Sequence, residues 1–265
     1  MSSDQEAKAL PPPPPPPPAA VAPRKGLSLF RVLVALLAKL PLATRVVVWH
    51  VLGQSEQSKT QDLRTEVIVK ILRAFLTPSK PTSITALQKF LGRDPGIKGR
   101  IWISKYTSPV PPETSVRDAL LSVIEGLKPA EFADASVDIP DIVPVEAEWT
   151  AYRPGATKDS TLPAISEKEM YARMMDECAK PTTIMYFHGG GYVVMDPASH
   201  RPTTKKLAKL TGGRCYSVRY RLAPQDPFPS AVLDALVSYL TLLYPPPGAF
   251  HEPVQPGHIV FAGDR

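Results

Sequence analysis

The chain has 265 residues, of which 43% are hydrophobic and 21% charged, so it can form one large α/β domain or one medium domain with extensions. Its formal net charge is +6, but no arginine-rich motif interleaved with aromatic residues occurs, and we therefore expect no nucleic-acid partner. The two cysteines, Cys178 and Cys215, have no metal-binding or redox spacing, so we expect buried free thiols and neither a metal nor another cofactor.

Residues 1–25 are a proline-rich segment with eight consecutive prolines from Pro11 to Pro18. Proline has no amide donor for a helix or a sheet, so this run predicts an extended polyproline II rod within a disordered tail. Such a rod fits the groove of an SH3, WW or profilin-like domain, and a stiff spacer is the alternative.

The most apolar stretch covers residues 27–52. Its longest uncharged run, Val32 to Ala38, has seven residues, far fewer than the ~20 that span a bilayer. The stretch begins behind the proline tract, so the sequence has no clear signal peptide, and the location is either cytoplasmic or membrane-associated. We expect an amphipathic helix that lies on a membrane surface or covers a substrate pocket, with a plain core helix as the alternative.

Charge is distributed unevenly along the chain. From Arg24 to Lys105 there are 15 Lys or Arg residues and 4 Asp or Glu residues, whereas the remainder is net acidic. This excess indicates an anionic neighbour such as phospholipid headgroups, or a solvated basic face. Apolar spacing predicts helices at 68–75 and 116–127, and a short strand or extended loop at 101–106. We assign residues 26–130 to a helical N-terminal cap or membrane-interface region.

After Pro129 the pattern changes to strands that alternate with helices. Two helices are marked by Leu207 with Leu210 and by the apolar positions of 232–243. Strands are predicted at 137–139, 145–152, 182–187, 214–219 and 258–262. This order predicts an α/β fold with a doubly wound, mostly parallel sheet in residues 131–265.

Three glycines directly follow the predicted strand 182–187, in the sequence Tyr186-Phe-His-Gly-Gly-Gly-Tyr192. Glycines at this place let the backbone turn sharply and bring amide hydrogens close to a ligand atom. In acyl transfer that atom is the carbonyl oxygen as it becomes an oxyanion, and each preset donor typically supplies ~3 kcal/mol. A loop of this type forms part of the oxyanion hole of lipases and esterases, although a flexible turn has the same composition.

A second motif, Tyr220-Arg-Leu-Ala-Pro-Gln-Asp-Pro-Phe-Pro229, follows the glycine loop. Together the two motifs resemble the hormone-sensitive-lipase-like branch of the α/β hydrolases, the fold-3 family, over roughly 145–264. The resemblance implies a serine carboxylic ester hydrolase acting on a hydrophobic ester. Three further segments are similar to fungal members of the arylacetamide-deacetylase and steryl-acetyl-hydrolase kind: Asp196-Pro197, His200-Arg-Pro202 and Phe261-Ala-Gly-Asp264.

The resemblance implies roles for the residues of the glycine loop. Gly190 and Gly191 match the glycines whose amides face the oxyanion, and Gly189 gives the turn its freedom. His188 matches a structural histidine that braces the loop and is not the catalytic base.

Further along the chain the match includes scaffold residues and two departures. Arg221 and Asp234 are similar to scaffold residues beside the site, whereas Gln225 replaces a glutamate that is common in the family. After Asp264 the family continues into a Gly-Asp-Ser-x-Gly nucleophile elbow, and here Arg265 aligns with the serine.

An arginine is not an acyl acceptor at neutral pH, and no Gly-x-Ser-x-Gly motif occurs elsewhere in the sequence. The family's acid and base come later in the chain. We therefore expect a chain truncated at the elbow and inactive as given. The alternative is a pseudo-hydrolase that binds without catalysis. Genomic bases downstream of the Asp264 codon distinguish the two.

Overall fold

A computed structural model of the protein describes residue 34 and residues 37–76, 83–112 and 115–264. Contacts divide the chain into two units, Met1–Pro81 and Thr82–Arg265. The proline tract Pro11–Pro18, the beginning of the apolar stretch at 27–33 and the aligned position Arg265 lie outside the described residues. The polyproline rod and its partner domain therefore stay predictions.

In the N-terminal unit, helix α1 (Leu40–Val51) packs against helix α2 (Leu63–Leu76). Pro41 stands in the first turn of α1, where its missing amide costs no hydrogen bond. The buried carboxylate of Glu66 on α2 joins the two helices, because its Oε2 lies 2.6 Å from Nδ1 of His50 and its other oxygen accepts from the Ser55 hydroxyl. Those hydrogen bonds hold the pKa of Glu66 below its usual value. None of the described helices is long and apolar enough to cross a bilayer.

The C-terminal unit is built on a five-stranded sheet in the order β1-β2-β4-β3-β5. β1 runs antiparallel to β2 and β2 antiparallel to β4, whereas β3 is parallel to both β4 and β5. The site described below stands at the parallel end of this mixed sheet. The strands are β1 (Ile101–Ser108), β2 (Val145–Tyr152), β3 (Thr183–Phe187), β4 (Arg214–Val218) and β5 (Ile259–Gly263).

The helices of this unit begin and end at recognisable signals. Gly212, with φ +68°, ends the helix before β4, and the last helix stops before Pro245. Ser166 and Glu169 form a reciprocal capping box at another start. The helices are α3 (Ile84–Leu91), α4 (Ser115–Leu127), α5 (Glu167–Asp176), α6 (Arg201–Thr211) and α7 (Ser230–Leu243).

The main core lies around Trp149 of β2, which is fully buried. Its ring contacts Tyr171 of α5 and Tyr216 of β4, with ring centroids 5.1 and 4.6 Å apart. Every residue of β4 is buried, because helices cover both faces of the sheet there. Cys215 lies in this strand, Cys178 is half-buried, and both thiols are free.

The predicted α/β fold with strand and helix alternation is confirmed, and the strands at 145–152 and 183–187 lie within a residue of their predicted places. One predicted strand is wrong: residues 137–139 have no strand partner and run as an irregular segment that buries Ile139. The segment 101–106 is part of strand β1, which belongs to the same unit as the rest of the sheet. The predicted boundary between 130 and 131 stays a prediction.

Candidate functional site

The glycine loop leaves the end of β3 in a backbone conformation that requires glycine. Gly190 has φ +114°, and a Cβ at this position would lie 2.2 Å from the carbonyl oxygen of Val194. Gly191 has φ +62° and open space around it. The amides of Val193 and Val194 both donate to the carbonyl of Gly190, at 3.1 and 3.2 Å, and so close the loop into a tight turn.

The three glycine amides differ in their partners. The amide of Gly189 donates to Oδ1 of Asp264 at 2.9 Å. The amides of Gly190 and Gly191 donate to no acceptor in the part of the chain that the structure describes. Two adjacent amides are therefore available to a ligand oxygen at the end of a parallel strand.

His188 is buried behind the loop and stacks on Tyr220, with ring centroids 4.3 Å apart. Its Nδ1 lies 2.9 Å from the carbonyl oxygen of Gly189, and the Tyr220 hydroxyl donates to the carbonyl of His188. Burial lowers the pKa of His188 to about 4, so the imidazole is neutral at pH 7. The ring holds the base of the loop by stacking and hydrogen bonding.

Asp264 joins the end of β5 to the glycine loop. Its Oδ1 accepts from the Tyr186 hydroxyl at 2.6 Å and from the Gly189 amide, and its Oδ2 lies 3.1 Å from Nε2 of His200. Partial burial raises the pKa of this carboxyl, but the hydrogen bonds from Tyr186 and Gly189 outweigh it and leave the pKa of Asp264 below its usual value. The carboxylate is therefore charged at neutral pH and fixes the loop.

The structure also contains a serine–histidine–aspartate chain that no sequence motif reveals. Oγ of Ser199 lies 2.9 Å from Nδ1 of His200, whose Nε2 faces Asp264. The Ser199 hydroxyl, however, donates to the carbonyl of Asp196 at 2.6 Å and closes the turn before α6. Ser199 is also not among the residues that line the cavity at the loop. We therefore assign it a structural role.

A cavity of about 430 Å³ lies in front of the glycine loop. Its size falls within the usual range for small-molecule sites, and aromatic rings and loop backbone form most of its wall. The lining residues are Phe187, His188, Gly189, Gly191, Tyr192, Tyr220, Gly263 and Asp264.

The second motif is tied to the first by its backbone and by one buried carboxylate. Asp234 of α7 accepts from the amide of Arg221 at 2.8 Å and from its guanidinium at 2.8 Å. Two residues on, the amide of Ala223 donates to the carbonyl of Tyr192 at 2.8 Å. The ion pair thus fixes the segment against which the glycine loop rests.

Gln88 of α3 is a site residue that the sequence did not reveal. Its side-chain amide donates to the carbonyl of Val193 at 2.9 Å and to that of Ala223 at 3.0 Å. It also exchanges hydrogen bonds with Gln225, both 3.0 Å long. Gln225 stands where the family commonly has a glutamate, and its side-chain amide has a hydrogen-bond partner in the side-chain amide of Gln88.

Arg201 fixes the start of α6 and with it His200. Its guanidinium donates two hydrogen bonds to Glu148 of β2, at 2.9 and 2.6 Å, and both ends of this pair are buried. It also binds Asp94, 3.0 Å from Nη2. These carboxylates are engaged with arginine, and no group of His, Cys, Asp and Glu among the described residues is suited to a metal ion.

Comparison with known proteins finds that part of this chain is similar to hydrolases. Residues 184–265 match the family model described as alpha/beta hydrolase fold. An acetyl-hydrolase of Streptomyces hygroscopicus is 37% identical over 82 residues, which are 31% of this chain and 25% of that protein. Human hormone-sensitive lipase is 35% identical over 71 residues, 27% of this chain and 7% of the lipase.

Among solved structures, a hyperthermophilic esterase from the archaeon Pyrobaculum calidifontis is similar with 21% identity and a TM-score of 0.42. The similarity covers 74% of this chain and 47% of the esterase. This chain thus spans a quarter or less of the two curated relatives and about half of the solved esterase. Residues 184–265 thus match the alpha/beta hydrolase fold, and part of the chain is similar to an acetyl-hydrolase and a lipase.

Proposed function

We propose that the protein is a carboxylic ester hydrolase of the esterase, lipase or deacetylase type that uses a serine acyl-enzyme mechanism. One observation carries the proposal: the amides of Gly190 and Gly191 have no acceptor among the described residues and belong to a loop that walls an apolar cavity. The match of residues 184–265 to the alpha/beta hydrolase fold and the similarity of part of the chain to an acetyl-hydrolase and a lipase support the same chemistry.

In this proposal the acyl group of the ester occupies the cavity and its carbonyl oxygen accepts from the two free amides. Negative charge grows on that oxygen as the carbonyl is attacked, and the fixed donors bind the charged state more strongly than the neutral one. Gly189 is not a third donor, because its amide is held by Asp264. Its role is to keep the loop attached to the end of β5.

The serine nucleophile, the general base and the acid are not assigned to residues of this sequence. Ser199 is excluded by its hydrogen bond to Asp196, and His188 by its stacking on Tyr220. For the substrate we propose a short acyl group such as acetyl. The similarity to fungal deacetylase-like enzymes and the acetyl-hydrolase among the relatives both favour it.

The experiment compares p-nitrophenyl acetate with p-nitrophenyl octanoate as substrates. The enzymes are the 265-residue chain and the product of the gene's longest transcript. We expect the product of the longest transcript to hydrolyse both esters, and the acetate faster than the octanoate. Phenylmethylsulfonyl fluoride should inactivate this product. If that product is folded and hydrolyses neither ester, the proposal fails and a binding protein takes its place.

A matched pair of glycine variants assigns the activity to the loop. Gly191 and Gly248 have φ +62° and +86°, and both have open space where a Cβ would stand. Gly191→Ala and Gly248→Ala therefore introduce similar backbone strain, but only Gly191 borders the cavity. Alanine keeps the amide hydrogen, but the strained φ at Gly191 and the added methyl group beside the cavity should displace that amide from the ligand oxygen. In the product of the longest transcript we therefore expect Gly191→Ala to lower kcat/KM by about a hundredfold, the usual cost of one oxyanion donor, and Gly248→Ala to leave it unchanged. Equal effects of the two variants would contradict the assignment.

A further inference from the structure

Helix α1 is apolar on two opposite sides. The side that faces α2 carries Leu42, Ala43 and the buried Val46. The opposite side, here called the outer face, is exposed and consists of Leu40, Thr44, Val47, Val48 and Val51, followed by Leu52 at the C-cap. Exposed apolar side chains grouped on one helix face mark a surface that binds an apolar partner, so the outer face calls for an apolar environment.

The charged residues of α1 and of the segment before it have one sign. The sequence contains no Asp or Glu from Ala7 to Ser55. Arg45 stands at the edge of the outer face with its guanidinium 5.9 Å from the ring centroid of Trp49, which is 47% exposed. An arginine beside a tryptophan at the border of an apolar face is the arrangement of interfacial helices, where the ring and the charged group lie at headgroup level.

A cavity of about 360 Å³ adjoins this border and is lined by Arg45, Trp49 and Lys70, among others. Neither Arg45 nor Lys70 forms a salt bridge with any residue in the described ranges. Two acidic residues also line it, but Glu66 is bound by His50 and Ser55, and Glu56 lies on the exposed turn before α2. Two cationic side chains are therefore available to an anionic group.

From these observations we propose that the N-terminal unit binds the surface of membranes that contain anionic phospholipids. The outer face of α1 enters the acyl-chain boundary, Trp49 lies at the level of the headgroups, and Arg45 and Lys70 bind their phosphates. The apolar face supplies affinity, and the positive charges select anionic over zwitterionic lipid. The inference is independent of the proposed ester hydrolysis.

The first experiment is flotation of the whole 265-residue chain with vesicles. Vesicles of phosphatidylcholine with phosphatidylserine are compared with vesicles of phosphatidylcholine alone. Val51 and Leu127 form a matched pair, because each is the last residue of a helix and they are 71% and 76% exposed. We expect Val51→Glu to weaken binding at least about tenfold and Leu127→Glu to bind as the unaltered chain does.

The second experiment uses fluorescence of the unaltered chain and needs no variant to fold. Of the three tryptophans, Trp102 and Trp149 are buried, so Trp49 dominates the change in emission. We expect a blue shift when phosphatidylserine vesicles are added and quenching by brominated acyl chains. Trp49→Phe removes both signals.

The charge contribution is tested with the double variant Arg45→Gln/Lys70→Gln. Each cation near an anionic surface contributes roughly fivefold in affinity, so the double variant should bind phosphatidylserine vesicles about 25-fold more weakly. Binding to pure phosphatidylcholine should not change, and added salt should weaken the unaltered chain more than the variant.

The proposal is overturned if the folded chain floats with neither vesicle type. It is overturned as well if Val51→Glu and Leu127→Glu bind equally. If Val51→Glu converts a dimer to a monomer while the unaltered chain ignores vesicles, the outer face is instead a contact between copies of the chain, which also rejects the lipid surface.

Discussion

The two units of the chain place their tryptophans in opposite environments. Trp149 in the sheet is fully buried between Tyr171 and Tyr216, whereas Trp49 on α1 is half-exposed beside Arg45. A sheet with helices on its faces offers an apolar side chain contacts in every direction, but a pair of helices offers them in one. Apolar sequence alone therefore does not tell whether a residue belongs to a core or to a surface that binds something else.

Truncating the two tryptophans measures this difference directly. Trp149→Ala should lower the free energy of unfolding of the C-terminal unit by about 3–5 kcal/mol, because a fully buried ring leaves a cavity. Trp49→Ala should change the free energy of unfolding by about 1 kcal/mol or less. Urea unfolding followed by circular dichroism gives both values. Similar losses for the two variants would mean that Trp49 is part of a core.

A second pair compares two glutamates of β2. Glu148 is buried and holds Arg201 by two hydrogen bonds, whereas Glu146 is half-exposed and pairs with Arg219 at 3.1 Å. Glu148→Ala leaves a buried guanidinium without its main partner and should cost about 3 kcal/mol of unfolding free energy. Glu146→Ala should cost less than about 1 kcal/mol. The same unfolding measurement applies, and a cost of Glu148→Ala as small as that of Glu146→Ala would show that solvent reaches Arg201.

The neutral His188 predicts how stability depends on pH. Burial lowers its pKa from 6.5 to about 4 in the folded chain, so the unfolded chain binds the extra proton between these values. The stabilising contribution is complete above pH 6.5 and is lost as the pH falls towards 4, by about 3 kcal/mol at most. His188→Gln should lose this part of the pH dependence. Parallel stability profiles of the two proteins between pH 7 and pH 4 would contradict the buried, neutral imidazole.

The smallest expected effect separates two neighbouring glycines of the loop. Gly190→Ala adds a methyl group against the carbonyl of Val194 in addition to an unfavourable φ, and should cost about 2–3 kcal/mol. Gly191→Ala has only the unfavourable φ and should cost about 1 kcal/mol. Thermal unfolding of both variants gives the ranking. The reverse order would mean that the turn at Gly190 relaxes easily.

The sequence predicts those features that depend on local pattern. Alternation marks β2, and a β-rich run followed by three glycines marks the end of β3 and the turn of the loop. Helix α5 is polar and shows no clear apolar periodicity, so the pattern does not predict it, although Ser166 and Glu169 carry the spacing of a capping box. That spacing is the signal that could have revealed it.

The local sequence pattern does not predict contacts between residues that are far apart in the chain. Gln88 meets Val193 across 105 residues, and Arg201 meets Glu148 across 53. A glutamine in a helix or a single glutamate in a strand does not identify its hydrogen-bond partner. The residues next to it in sequence are the same whichever distant residue it contacts. For the same reason, the sequence does not predict that β1 pairs antiparallel with β2 at the sheet edge.

The side chain of Gln88 makes the glycine loop dependent on a helix formed a hundred residues earlier. Its hydrogen bonds reach Val193, Ala223 and Gln225, so two loops that lie apart in sequence share one anchor. A fragment that starts after α3 would therefore contain the complete glycine motif and still lack the support that aligns it. Amide exchange in α3 and in the two loops should consequently rise and fall together, as one cooperative opening.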